Sequence, residues 1–220
     1  MKPSQKTLPA GNRLVRICVT GGIACGKSLV GAALAKWGVA VIDADQVCHA
    51  QMRAGRPLCK QVVAEFGKVI VGRGGAIDRG VLGRIVFADP ARLRRLNRLV
   101  HPAVIREIER WLQEEAAGSR RRRAAAGLVP LVYETGWAGA WDLIVCVAAP
   151  LNLQLARLRK RGLSVKAARA RIAAQWPVEE KMRRADYVVF NSGSRACARR
   201  QVLGILETIM QPAEKKYGRK

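Results

Sequence analysis

Val15-Arg16-Ile17-Cys18-Val19-Thr20-Gly21-Gly22-Ile23-Ala24-Cys25-Gly26-Lys27-Ser28 is the stretch from which the rest of the chain is read. Val15 to Thr20 is a short β-rich run, Gly21-Gly22 ends it, and apolar residues recur at helical spacing from Ser28 to Trp37. Strand, glycine loop and helix are the expectation. Gly38 supplies a stop for that helix, and Val39 to Ile42 reads as a second buried strand leading to Asp43-Ala44-Asp45. A βαβ unit of this kind implies a parallel sheet covered by helices.

Further along, residues 46–112 read as mostly helical, with breaks at Gly55 to Pro57, Gly72 to Gly75 and His101-Pro102. No long strand interrupts them, and the stretch is too long for a simple crossover, so it is expected to be an insertion between the second and third strands. Residues 114–126 carry Arg120 to Arg123 among Ala, Gly and Ser, which suggests an exposed connection. Leu128 to Tyr133 and Leu143 to Ala148 read as two further buried strands, the second stopped by Pro150. Asn152 to Gln175 is helical and rich in Arg, Asp186 to Phe190 is a last strand before Asn191-Ser192-Gly193, and Arg195 to Met210 is a closing helix. A frayed polar tail is expected from Glu214 to Lys220.

The chain has 220 residues, half of them apolar and a quarter charged, a balance that suits a globular domain with small insertions. Forty Lys plus Arg against sixteen Asp plus Glu leave a formal charge of +24, which favours phosphate-rich partners. Met1 to Arg13 lacks the apolar core of a signal peptide, and no run of about 18 apolar residues offers a membrane span. The six cysteines are scattered without a C-x-x-C pair, and two histidines are too few to complete a zinc site with them. Reduced thiols and a cytoplasmic location are the expectation, with a redox switch at Cys25 as the alternative.

Gly21 to Ser28 fits G-x-x-x-x-G-K-[ST] in the context that motif requires, after a strand and before a helix. Glycines let the chain curl so that successive amides face inward, and the following helix adds its positive end. Lys27 reaches the β- and γ-phosphates of a bound triphosphate, and Ser28 is the candidate Mg²⁺ ligand. Asp43 and Asp45 lie two apart at the end of the second strand, so an extended chain would project both carboxylates beside the loop. One of them is then the candidate base for an attacking hydroxyl; helix capping is the alternative for both.

VTGGIACGKS followed by VIDAD after one helix resembles the dephospho-coenzyme A kinase family. Ile77-Asp78-Arg79, Val86-Phe87, His101-Pro102, Val129-Pro130-Leu131 with Glu134-Thr135, Gln154 with Arg157 and Arg161, Arg171 with Gln175, and Asn191-Ser192-Gly193 follow in the family's order. The resemblance covers the chain from about Arg16 to the closing helix. It implies an α/β fold of the P-loop NTPase type, a three-layer sandwich with a mainly parallel five-stranded sheet, a helical insertion and a small helical lid. Residues 14–45, 127–152 and 185–211 would form the core, 46–126 the acceptor-binding insertion, and 153–184 the lid. The implied reaction is transfer of the γ-phosphoryl group of ATP, with Mg²⁺, to the ribose 3′-hydroxyl of dephospho-coenzyme A.

The same resemblance implies roles residue by residue. Asp45 is the catalytic base and Lys27 the catalytic cation. ATP lies on Gly22, Ile23, Ala24, Cys25, Gly26, Lys27, Ser28 and Leu29, with Asn191 beside it and Arg157 and Arg161 as lid arginines four apart on one helix face. Thr20, Asp45, Arg84, His101 and Arg106 are the acceptor-side residues. One departure concerns the third strand, where the family usually carries Asp and this chain has Leu128; Asp43, Asp45 or Glu134 would then support the metal through water. Gly162 after Arg161 is a second departure, where the family often has Asp. Other readings are a different small-molecule or nucleotide P-loop kinase, or a basic nucleic-acid binder. Five Trp, three Tyr and three Phe, with no RNP-type motif, argue against the last, and no dedicated nucleic-acid partner is expected. A monomer or small homo-oligomer is.

Overall fold

The computed structural model describes residues 13–118 and 122–210. The readings made for residues 1–12, for Arg120 and Arg121 and for residues 214–220 lie outside the described residues. The opening stretch forms β1 (Val15–Gly21), the glycine loop and α1 (Lys27–Lys36). Gly38 ends the helix with a φ of 79°. Its N–H donates to Ala35 O while Val39 N donates to Leu34 O, the two closing bonds of a Schellman turn.

The remaining elements are β2 (Ala40–Asp43), α2 (Ala44–Gln51), α3 (Pro57–Phe66), α4 (Arg79–Ala88), α5 (Pro90–Ala117), β3 (Ala124–Leu128), β4 (Leu143–Ala148), α6 (Leu151–Lys160), α7 (Val165–Ala173), α8 (Val178–Arg184), β5 (Tyr187–Phe190) and α9 (Arg195–Met210). The strands form one sheet in the order β2-β3-β1-β4-β5. β1 pairs in parallel with β3, Ile17 opposite Ala126, and with β4, Ile17 opposite Leu143. β5 extends the sheet in parallel beyond β4, with Val189 opposite Val147.

Side chains alternate across this sheet. Ile17, Val19, Val145, Val147 and Val189 pack with Val30 and Leu34 of α1 and with Val202 and Leu206 of α9. Cys18 and Cys146 turn to the opposite face, where α8 packs. Helices on both faces of a parallel sheet make a three-layer α/β sandwich. Each buried Val or Ile contributes roughly 1.5–3 kcal/mol of transfer free energy. The central strands are therefore well fixed, and the loops at their carboxyl ends inherit that position.

By compactness the chain divides into Met1–Val41 with Glu114–Lys220, and Ile42–Gln113. The first unit holds the sheet core and α6 to α9. The second is helical, with one isolated antiparallel bridge between Val71 and Ile77.

Three expectations need correction. The third strand is Ala124–Leu128 and not Leu128 to Tyr133. Ala124-Ala125-Ala126-Gly127 carries no β-branched signal, but its small side chains fit a crowded place, with Gly127 lying directly against the Trp141 ring. Pro130 then has no N–H for a ladder, and the chain turns, Thr135 N donating to Leu131 O at 3.0 Å. Second, His101-Pro102 does not break the helix, because α5 runs through Pro102. Val100, Val104, Ile108 and Leu112 form one buried stripe on α5 that outweighs the bond lost at the proline. Third, α5 continues to Ala117, so the first part of the expected connection is helix. Arg122 of the arginine run pairs with Glu115 at 3.6 Å.

Candidate active site

β1 delivers Gly21 to the carboxyl end of the sheet with φ 135°, where any Cβ would collide with Val147 O of β4. Beyond it the loop closes on itself through Cys25 N, which donates to Gly22 O at 3.2 Å. Ala24 adopts φ 60°, a left-handed conformation that costs an ordinary residue about 1–2 kcal/mol. Bonds on the outer rim of the loop offset that strain. Ile23 N donates to Gln175 Oε1 at 2.8 Å. Ala24 O accepts from Arg157 Nη1 at 3.0 Å, and Cys25 O accepts from Asn191 Nδ2 at 2.8 Å. Arg157 Nη2 closes the set by donating to Asn191 O at 2.9 Å.

Gly26 caps α1 with φ 106°, and a Cβ there would run into Asn191 Nδ2. Its carbonyl accepts from Leu29 N and Val30 N, which starts the helix. The first amides of a helix have no intrahelical acceptors, and together with the positive helix end they suit an anion. Ser28 stands in this first turn, and Leu29 packs against the core below it. Lys27 Nζ donates to Gly21 O and Gly22 O at 3.1 Å each, so its ammonium lies along the loop. The Cys25 thiol is buried, and desolvation raises its pKa despite the nearby charges of Lys27 and Arg157. Burial likewise pushes the Cys146 thiol up to about 12. Such thiols stay protonated and unreactive at neutral pH.

The two nominated lid arginines have different environments. Arg157 is half-buried on α6 and holds loop carbonyls, whereas Arg161 is exposed and forms the C-cap of that helix. Thr20 is fully buried, and its hydroxyl donates to Pro130 O at 3.2 Å. Glu134, a nominated support for the metal, instead pairs with Lys181 at 2.6 Å and accepts from Trp176 N at 2.9 Å. Leu128 is buried against Gly31 of α1, where a Cβ would come within 2.9 Å of Leu128 Cδ1.

In the helical unit, the premise of an extended chain through Asp45 does not hold. β2 ends at Asp43, whose side chain caps α2 by accepting from Asp45 N at 2.9 Å. Asp45 therefore stands exposed in the first turn of a helix, and Asp43 is the cap. One turn further, His49 Nε2 accepts from Arg79 Nη1 at 2.5 Å. Partial burial and then the Arg79 charge lower the His49 pKa, against the pull of Asp45 and Asp43. Arg84 is exposed on α4, while His101, half-buried, and Arg106, exposed, both lie on α5.

Gly22 to Leu29, Arg157 and Asn191 thus form one clustered loop site. Gln175 and Lys181 carried no nominated role. Gln175 stood in the sequence only as one residue of a series, and Lys181 lies among Glu179, Glu180, Arg183 and Arg184 within the expected lid.

A glycine loop at the carboxyl edge of a parallel sheet, opening a helix with Lys-Ser and braced from outside by side chains of later elements, defines a P-loop kinase fold. The family model for dephospho-CoA kinase matches residues 15–196. A dephospho-CoA kinase of Symbiobacterium thermophilum is 48% identical over 187 residues, covering 84% of this chain and 77% of the relative. That of Geobacillus kaustophilus is 44% identical over 193 residues, covering 87% of this chain and 94% of the relative. The crystal structure of TT1252 from Thermus thermophilus superposes with a TM-score of 0.75 and 34% identity, covering 90% of this chain and 99% of that one. The chain belongs to the dephospho-CoA kinase family.

Proposed function

We propose that this chain transfers the γ-phosphoryl group of ATP to the ribose 3′-hydroxyl of dephospho-coenzyme A, giving coenzyme A and ADP. The observation that carries the proposal is the braced phosphate loop in a chain of this family. Phosphoryl transfer asks a protein for positioning and charge neutralisation more than for covalent chemistry. The amides of the loop and of the first turn of α1 cradle the phosphates. Lys27 exchanges its two carbonyl contacts for phosphate oxygens, which moves its charge toward the developing negative charge. Asp45, exposed in the first turn of α2, accepts the proton of the acceptor hydroxyl. Arg161 is free of the loop-bracing role of Arg157 and closes over the phosphates, excluding water. Arg84, His101 and Arg106 bind the acceptor's pyrophosphate and pantetheine arm.

The residues present suit Mg²⁺ that enters with the nucleotide. Among the described residues no three His, Cys, Asp or Glu side chains gather as a metal site, and Mg²⁺ bound to ATP keeps several waters and needs few protein ligands. Ser28 would hold it, and the ion would neutralise phosphate charge. A cytoplasmic location is part of the same proposal.

The test is product formation with ATP, Mg²⁺ and dephospho-coenzyme A, run beside a panel of shikimate, gluconate and nucleoside acceptors. Acceptor-dependent coenzyme A, abolished in Lys27→Ala and in Asp45→Asn, is the expected result. Turnover of another acceptor in its place would sink the proposal.

A further inference from the structure

Lys181 is fully buried, although its neighbours on α8 include Glu179, Glu180, Arg183 and Arg184. Its ammonium lies 2.6 Å from Glu134 Oε1 and donates to Pro130 O at 2.7 Å. The same Glu134 oxygen accepts from Trp176 N. Next to it the Trp176 ring stacks on Tyr133, centroids 6.1 Å apart and planes 9° from parallel, and Arg184 covers the Trp176 ring at 4.7 Å. The turn after β3 and the link between α7 and α8 are thereby clasped by an ion pair, an aromatic stack and a cation–π contact.

An ion pair taken out of water adds little net stability compared with apolar side chains of the same volume, though breaking it by removing one partner is costly. What such a pair secures here is position. Trp176 follows Gln175 in the chain, and Gln175 Oε1 holds Ile23 N of the phosphate loop. The clasp therefore reaches the loop through one side chain. With the Ile23 N–H held by Gln175, the Gly22–Ile23 peptide is fixed and the neighbouring Ala24 is kept at its left-handed φ, which maintains the curl of the loop.

We propose that Gln175 is a nucleotide-positioning residue, and that the buried Glu134–Lys181 pair is the clasp that seats it, so that the loop is curled before ATP arrives. This rests on the reading of the loop as the ATP site. It assigns Glu134 to the geometry of the loop and not to the metal.

Two perturbations and their combination test it. Gln175→Ala removes the link to the loop without touching a buried charge. Lys181→Met with Glu134→Gln replaces the charged pair by neutral side chains of similar size. ATP binding is titrated calorimetrically without acceptor, steady-state kinetics are run with saturating acceptor, and thermal melts accompany both. Gln175→Ala is expected to weaken ATP binding and raise KM for ATP about tenfold, with kcat within about threefold of wild type and an unchanged melt. The clasp variant is expected to weaken ATP binding comparably, and adding Gln175→Ala to it should cause little further loss.

Effects that multiply in the combination would overturn the proposal, as would a Gln175→Ala protein that binds ATP as well as wild type or better. Should the clasp variant not fold, Gln175→Ala alone decides. Wild type that binds no ATP overturns both this proposal and the loop reading, whereas wild type that binds ATP beside an unaffected Gln175→Ala overturns this one alone.

Discussion

Replacing Arg157 by methionine measures how much of nucleotide binding is built from the outer rim of the loop. The guanidinium donates to Ala24 O at 3.0 Å, to Asn191 O at 2.9 Å and, more weakly, to Cys25 O at 3.4 Å. Hydrogen bonds with a charged partner are worth about 1.5–3 kcal/mol each. Arg157 is only half-buried, so solvent screening reduces the two short bonds to about 1 kcal/mol each. Methionine keeps most of the apolar stem, and the loss is then about 2 kcal/mol, or roughly 30-fold in ATP affinity at about 1.4 kcal/mol per tenfold. The assay is KM for ATP and kcat at saturating acceptor, together with ATP binding without acceptor, and Arg161→Met serves as a comparison. The expected result is a rise of about 10- to 30-fold in KM for ATP with kcat within about threefold. A fall of about 100-fold in kcat at unchanged ATP affinity would refute the reasoning, because it would put the guanidinium on the transferring phosphoryl group and not on the loop.

Gly26→Ala forces a side chain into Asn191 Nδ2 at a φ of 106°, and it should abolish ATP binding while the sheet core stays folded; nucleotide titration beside a far-UV melt checks this, and near-normal affinity would contradict the geometry. Leu128→Asp sets a carboxylate against Gly31 of α1, and urea unfolding should show a loss of about 3 kcal/mol or more; a variant as stable as wild type and more active would move that position from the core to the metal site. His49 has a pKa below its ordinary value near 6.5, so the unfolded chain binds the proton more readily. Its contribution to stability is therefore full above that value and declines as pH falls through it toward the lower folded pKa. Wild type should lose more stability than His49→Gln between about pH 7.5 and 5.5, and identical curves would count against a lowered His49 pKa in the folded chain. Alkylation at neutral pH should reach the exposed Cys197 long before Cys25, whose thiol is buried and raised in pKa; peptide mapping that finds Cys25 modified first would reverse that order.

The loop, its strand and its helix were legible in the sequence because their signals are local. Glycine has no Cβ to collide at Gly21 or Gly26, Lys-Ser must open the helix, and Gly38 ends it with a turn that needs a positive φ. β4, read from Leu143 to Ala148, matches its span in the fold because a run of large apolar residues is buried on both faces. The third strand was misplaced because Gly127 fits the room beside Trp141 and Ala124 and Ala126 fit the core they pack into, with no β-branched residue to signal a strand. Pro102 was misread for a related reason, since the buried stripe of α5 that sustains the helix outweighs one lost hydrogen bond.

Side-chain roles divide in the same way. The expectation that residues 21–28 bind phosphate rests on spacing alone, but which groups hold the loop open cannot be read that way. Arg157, Gln175 and Asn191 reach Ile23, Ala24 and Cys25 across 132 to 166 positions of sequence. No periodicity carries information over that distance. Lys181 is the sharpest case: Glu179, Glu180, Arg183 and Arg184 around it all suit solvent, and only the packing of α8 against the sheet buries its ammonium beside Glu134. Sequence by itself determined the curl of the loop, and with it the expected class of ligand, through backbone geometry that a few residues impose. The tertiary structure decided which distant side chains spend their hydrogen bonds on that backbone, because a buried polar group must find its partner wherever the fold supplies one.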